Sequence, residues 1–215
     1  MKEKVLVFWS GGKKAALALN FLVNNPKFEV VGLLSVFDRE SNRIPLHGIP
    51  DSLIIEQAKL LKLPLQRVFL PGDFSEEDYV KQVGAILKMY AKKGITSIAF
   101  GDLDSVAGYR DNLGMKVLMP LNGMSSEHFN SEFFKTGHKA LVTSVLHEKL
   151  GYNFLACELN EDYLNRLPID VDQAAKNNEF HSFVTFGPKF IKRVPFSKAI
   201  AVEEKGYIIS LVKEP

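Results

Sequence analysis

The chain has 215 residues and a formal net charge of +2, long enough for one substantial core and too near neutral to argue by itself for nucleic acid or a membrane surface. Hydrophobic residues make up 46% and charged residues 24%, which excludes a disordered or fibrous chain and fits an ordinary globular one. A single cysteine, Cys157, excludes an intrachain disulfide and fits a reducing compartment.

Val5-Leu6-Val7-Phe8-Trp9 reads as a short apolar strand, Ser10-Gly11-Gly12 as a tight turn, and roughly Lys14 to Val23 as a helix. The apolar run is too short to span a bilayer and carries no secretory pattern, so a cytoplasmic location and no membrane partner are expected. The glycines let the turn tighten and let a ligand approach the backbone. The helix start aims unpaired N–H groups at the turn, with the positive end of its dipole behind them, and phosphate is the natural occupant. Lys13 and Lys14 at that end cost about 0.3–1 kcal/mol each unless something negative is bound.

Asn24-Asn25-Pro26 ends this helix, because proline disfavours helix at the preceding residue. Residues 28–37 form a nearly continuous apolar run that suits a parallel strand covered on both faces. A polar loop, 38–43, follows. Pro50-Asp51-Ser52 starts a helix with Ile54, Ile55, Ala58 and Leu61 as its apolar stripe. Residues 65–70 are the third strand. Ser75 caps a helix with acids in its first turn and Lys92-Lys93-Gly94 at its end. Residues 95–100 are the fourth strand.

The second half predicts strands at 117–121 and 139–146, and helices at 125–136 and from Asn160 to Leu167. It then turns to β structure at 180–186, 199–203 and 207–212, with Lys205-Gly206 as a hairpin turn. Strand–helix alternation in the first half argues for a parallel α/β sheet, a Rossmann-like arrangement with helices on both faces. Such sheets bind ligands at the carboxyl ends of their strands, which gathers Ser10–Lys13, Asp38 and Gly101–Asp104 on one edge. A composition shift near Leu121 suggests two units: a nucleotide-binding domain, 1–121, and a smaller α+β domain for substrate, 122–215.

Ser10, Gly11, Gly12 and Lys13 are the candidate phosphate cradle, with backbone N–H groups and the Ser10 hydroxyl donating and Lys13 neutralising charge. Lys14 either takes over the charge role of a metal ion or stands in solvent. Asp102 and Asp104, just past a strand end, have the chemistry to hold magnesium through water or to brace a turn. Glu179 and His181, two apart in an extended segment, share a face, and such a pair in a cleft is able to bind substrate or move a proton near neutral pH. His128, His138 and His147 lack metal-ligand spacing and read as surface residues. Cys157 has no basic cluster beside it in sequence and reads as packing. Lys189, Lys192, Arg193 and Lys198 flank Phe190 and Phe196, a pattern that fits a solvated loop better than an RNA surface at this net charge.

Ser10-Gly11-Gly12-Lys13 resembles the start of the PP-loop of ATP pyrophosphatases. The blocks Leu46-His47-Gly48, Phe100-Gly101-Asp102, Tyr109-Arg110, Met119-Pro120-Leu121 and Glu179-Phe180-His181-Ser182-Phe183-Val184 extend the resemblance to the diphthine–ammonia ligase-like family. The resemblance implies an adenine nucleotide alpha hydrolase-like fold and ATP or AMP as ligand. Its implied reaction is adenylation of a carboxylate followed by amide formation, releasing pyrophosphate and AMP.

Residue by residue, the resemblance assigns Gly101, Tyr109 and Arg110 with Lys14 to the nucleotide, and His47, Gly48, Lys176 and Asn177 to the substrate. Glu179, His181 and Asp102 become the catalytic set, and Asp102 the candidate metal ligand. Lys14-Ala15 stands where the family has Asp-Ser, Ala175-Lys176-Asn177-Asn178 where it has Gly-Glu-Asn-Gly, and Asn122 where it has tryptophan. Mg2+ is therefore a weak candidate cofactor, since Lys14 and Lys176 occupy the places of acids. The substrate is a carboxylate, small or protein-borne, and the His-Gly block resembles bacterial relatives for which diphthamide is not an expected product. Two other readings remain open: a nucleotide-binding module with little turnover or a plain ATPase, and a tRNA-modifying enzyme, although no nucleic-acid partner is expected. A homodimer is compatible with the sequence and not specified by it.

Overall fold

The computed structural model describes residues 1–73, 75–101 and 114–215, with the side chain of Glu76 left aside. Its first half is a five-stranded parallel sheet in the order β3-β2-β1-β4-β5. The strands are β1 (Glu3–Phe8), β2 (Phe28–Asp38), β3 (Leu65–Leu70), β4 (Ser97–Ala99) and β5 (Lys116–Leu118). Helices α1 (Lys13–Asn24), α2 (Asp51–Leu61) and α3 (Glu76–Lys92) make the crossovers. This is the Rossmann-like α/β architecture expected.

Alternation along β1 explains how helices cover both faces. Val5 and Val7 join Leu17 of α1 and Ile54 of α2 in one core, whereas Leu6 joins Val83 and Leu87 of α3 in another. All three β1 residues are fully buried, so the strand reads as an unbroken apolar run. Ser75 caps α3 by accepting from the Asp78 N–H, and the Asp78 carboxylate accepts from the Ser75 N–H. This capping box satisfies two otherwise orphaned donors.

The second half adds α4 (Ser126–Lys135), α5 (Glu161–Asn165) and a four-stranded antiparallel sheet in the order β7-β6-β9-β8. Its strands are β6 (Lys139–Leu146), β7 (Phe180–Phe186), β8 (Ser197–Glu204) and β9 (Tyr207–Lys213). The β8–β9 turn puts Lys205 at φ 49° and Gly206 at φ 82°, the double left-handed turn that matches strand twist. Phe133, Val142, Phe183 and Ile208 belong to the same core as Val5 and Ile54, so apolar packing runs through both halves.

Three elements are shorter than their sequence patterns. β4 starts at Ser97 because Ile95 N–H turns back to the Tyr90 carbonyl. β5 stops at Leu118, where Pro120 has no N–H for a ladder and residues 119–124 close two turns, Asn122 to Met119 and Met124 to Leu121. α5 ends at Asn165 in three-residue turns ahead of Pro168. No helix among the described residues is long and apolar enough to cross a membrane.

Candidate functional site

A cavity of about 380 Å³ opens where β1 and β4 end. Here the strand order reverses, since α1 carries the chain from β1 to β2 and α3 carries it to β4 on the other side. That switch point is where open α/β sheets hold ligands. Ser10, Gly12, Lys13 and Lys14 come from the β1–α1 turn, Gly101 from the end of β4, and Phe180, His181 and Ser182 from the second sheet.

Helix α1 starts at this cavity with Gly12 as its N-cap, no side-chain cap and no acid in its first turn. Lys13 is only 4% exposed. Its ammonium lies 4.2 Å from the Phe180 ring centroid and donates to the Phe180 carbonyl at 3.4 Å. Lys14 donates to the Ala175 carbonyl at 2.9 Å. No aspartate or glutamate among the described residues lines the cavity. Among the described residues, the helix dipole and the charges of Lys13 and Lys14 have one sign, which suits an anion.

Protein packing uses the glycines as much as any ligand would. Gly11 has φ +77°, and a Cβ there would lie 2.6 Å from Ile54 Cδ1. A Cβ on Gly101 would lie 2.5 Å from the Lys14 carbonyl carbon, so only glycine lets the end of β4 meet the first turn of α1. The Gly11 carbonyl accepts from Val184 N–H at 2.8 Å, and Lys13 N–H donates to Ser182 Oγ at 3.1 Å. The turn expected to serve phosphate is thus also the seam with β7.

The key to that seam is Gln57, which sequence reading passed over. It is fully buried; its amide donates to the carbonyls of Gly11 (3.2 Å) and Val184 (2.7 Å), and its Oε1 accepts from Trp9 Nε1 (2.8 Å). A signal existed: Gln57 stands in the i, i+3, i+4, i+7 stripe of Ile54, Ala58 and Leu61. A polar residue in such a stripe must find buried partners.

The Glu179–His181 pairing needs correction. Glu179 precedes β7, is 2% exposed, and does not line the cavity. Its Oε1 accepts from Asp172 N–H (3.0 Å) and Asn177 Nδ2 (2.9 Å), and its Oε2 from Asn177 N–H (3.1 Å). A buried carboxylate needs such donors to offset desolvation, so it clamps a loop. His181 does line the cavity, 4.6 Å ring to ring from His47 and 5.5 Å from Tyr207. Burial first, then His47, Lys13 and Lys14, hold it well below the usual histidine range. It is neutral at pH 7 and does not titrate there, contrary to expectation.

Other expected residues divide. His47 lines the cavity with Nδ1 3.2 Å from the Ser182 carbonyl. Gly48, at φ +69°, packs on Ile209 and shapes the turn without lining the cavity. Lys176 and Asn177 line a separate cavity. The Asp38 carboxylate accepts from the N–H and hydroxyl of Ser41 and does not line the cavity. Asp102, Asp104, Tyr109 and Arg110 lie outside the described residues.

His138, expected at the surface, is 3% exposed, stacks on Phe133 at 5.0 Å, and is pushed down to about 4 by burial. Cys157 does have a basic neighbour, with Arg166 Nη2 3.9 Å from its sulfur. Phe190 is buried and Phe196 packs on the core, so the lysine-rich loop offers no aromatic platform for bases.

The fold and this cationic glycine turn define a Rossmann-like α/β protein with an anion-suited turn at the carboxyl edge of its parallel sheet. The sequence matches the model of the family described as the diphthamide synthase N-terminal domain over residues 3–112, 110 of the 215 residues, and the chain belongs to that family. No curated protein matches it. Among solved structures it is similar to U34-tRNA thiolase NcsA from Methanococcus maripaludis with its 4Fe-4S cluster. The identity is 15%, the TM-score 0.38, and the likeness covers 61% of this chain and 56% of that one. The chain thus spans little more than half the length of that structure, and a likeness of this size carries no argument about chemistry.

Proposed function

We propose that the chain binds an adenine nucleotide with its phosphates against the first turn of α1, and uses ATP to activate a carboxylate as its adenylate before amide formation. The observation that carries this is the start of α1, where the N-cap Gly12 supplies no side-chain cap and Lys13 and Lys14 add positive charge, at a cavity on the carboxyl edge of a parallel sheet. In the proposed reaction a carboxylate oxygen attacks the α phosphorus, pyrophosphate leaves, and an amine then displaces AMP. Lys13 and Lys14 counter the charge on the phosphates. The imidazole of His181, kept uncharged by burial and by the neighbouring His47, Lys13 and Lys14, lines the cavity as a neutral hydrogen-bonding group and is not the base of the amine step.

Magnesium requires oxygen ligands. The described cavity lining contains no carboxylate, and no group of three or more His, Cys, Asp or Glu gathers among the described residues. Lys14 and Lys176 stand where the resemblance places acids, and nucleotide binding is expected without magnesium on that ground. Trp9, the only tryptophan, lines the cavity, so its fluorescence should change on adding ATP in EDTA. A change seen only with magnesium would contradict this.

A second reading, a nucleotide-binding module with little turnover, is favoured by Glu179, whose carboxylate is engaged in the loop. Labelled ATP separates the two. AMP with pyrophosphate supports adenylation, ADP with phosphate a plain ATPase, and intact ATP with a Trp9 response the module.

A further inference from the structure

A second cavity of about 470 Å³ shares Lys14 and Gly101 with the first. Segment 174–178 divides them: Ala175 and Asn178 line the first, whereas Ala174, Lys176 and Asn177 line the second. The bond from Lys14 Nζ to the Ala175 carbonyl pins this divide. Met119, Met124 and Phe129 supply apolar lining to the second cavity, and Lys14 and Lys176 its charge.

The nearby acids are turned away from it. Asp172 Oδ1 accepts from the N–H groups of Ala174 (2.8 Å) and Lys176 (3.1 Å), and its Oδ2 from the Ser126 hydroxyl (2.6 Å). Glu179 is engaged from the other side by Asp172 and Asn177. The wall is thereby preformed, tied to the first turn of α4, with no aspartate or glutamate among the described residues lining the cavity. A concave apolar surface with a few convergent charged groups is the usual form of a small-molecule site.

From these features we infer that the second cavity binds a small carboxylate with an apolar body. The carboxylate lies toward Lys14 and Lys176, and the body lies over Met119, Met124 and Phe129. The role of this ligand as acyl substrate rests on the nucleotide reading of the first cavity; its binding does not. Among the described residues, Lys14 is the charged side chain that lines both cavities, between the proposed phosphate and carboxylate positions.

The chain has five methionines, and methionine methyl labelling with 13C gives five NMR signals, assigned by Met119→Leu and Met124→Leu. N-acetyl-L-leucine is the probe. Its titration should shift Met119 and Met124 saturably and leave Met1 and Met89, both solvent-exposed, unmoved. Its neutral amide should bind about tenfold more weakly, and Lys176→Gln should weaken the acid by a similar factor, the worth of one charge-assisted contact. Silent Met119 and Met124 signals, equal binding of acid and amide, or the same shifts with inorganic phosphate would overturn the inference. Trp9 fluorescence with ATP is read in the same samples. Shifted methionines beside a silent Trp9 would support the second cavity and refute the nucleotide reading.

Discussion

His138 shows how burial turns one residue into a pH sensor of stability. Its folded value near 4 lies below the usual 6.5, so between those values the unfolded chain binds a proton that the folded chain refuses. By linkage, stability is full above about pH 6.5 and falls as pH drops, by roughly 3 kcal/mol by pH 4. Urea unfolding at pH 7.5 and pH 4.5 should show this loss, with the slope flattened in His138→Gln. An unchanged slope would refute the assignment. Glu179 is argued at the same scale. Glu179→Ala should strip partners from three donors and cost about 3 kcal/mol, visible as a lowered Tm. A large loss of turnover in Glu179→Gln at unchanged Tm would instead restore a catalytic role.

At the scale of elements, the first turn of α1 depends on α2 and β7. Gln57 is the one side chain bonded to Trp9, Gly11 and Val184 together. Gln57→Leu preserves volume and removes all three bonds, at an expected cost of about 3 kcal/mol by chemical denaturation. Nucleotide affinity should fall with it, because the turn loses its brace; full affinity would show that the turn holds itself. Element boundaries were most legible where caps are local. Ser75, Ser125 and Asn160 each accept from an N–H three residues on, and each was readable from the sequence. β4 began late and β5 ended early because neighbouring turns took their backbone groups, a competition that apolar runs do not report.

Across the whole molecule, the apolar core joins both sheets without a break at Leu121. Heating should therefore give one transition, with calorimetric and van't Hoff enthalpies equal. Residues 1–121 alone should expose the face of α1 and α2 that covers the second sheet and fail to fold. Two separated transitions would show that the halves are independent.

Strand alternation, the glycine turn, the lysines after it and the helix caps are signals between residues a few positions apart, and from them the sequence alone determined the parallel sheet, at whose carboxyl edge the candidate cavity opens. Only the tertiary structure decided what each polar group does there. Ser182 meets Lys13 across 169 positions and Val184 meets Gln57 across 127, while Glu179 turns inward and His181 loses its proton through burial. The reason is desolvation: a group's charge and availability depend on what surrounds it in space, and chain order does not list those neighbours.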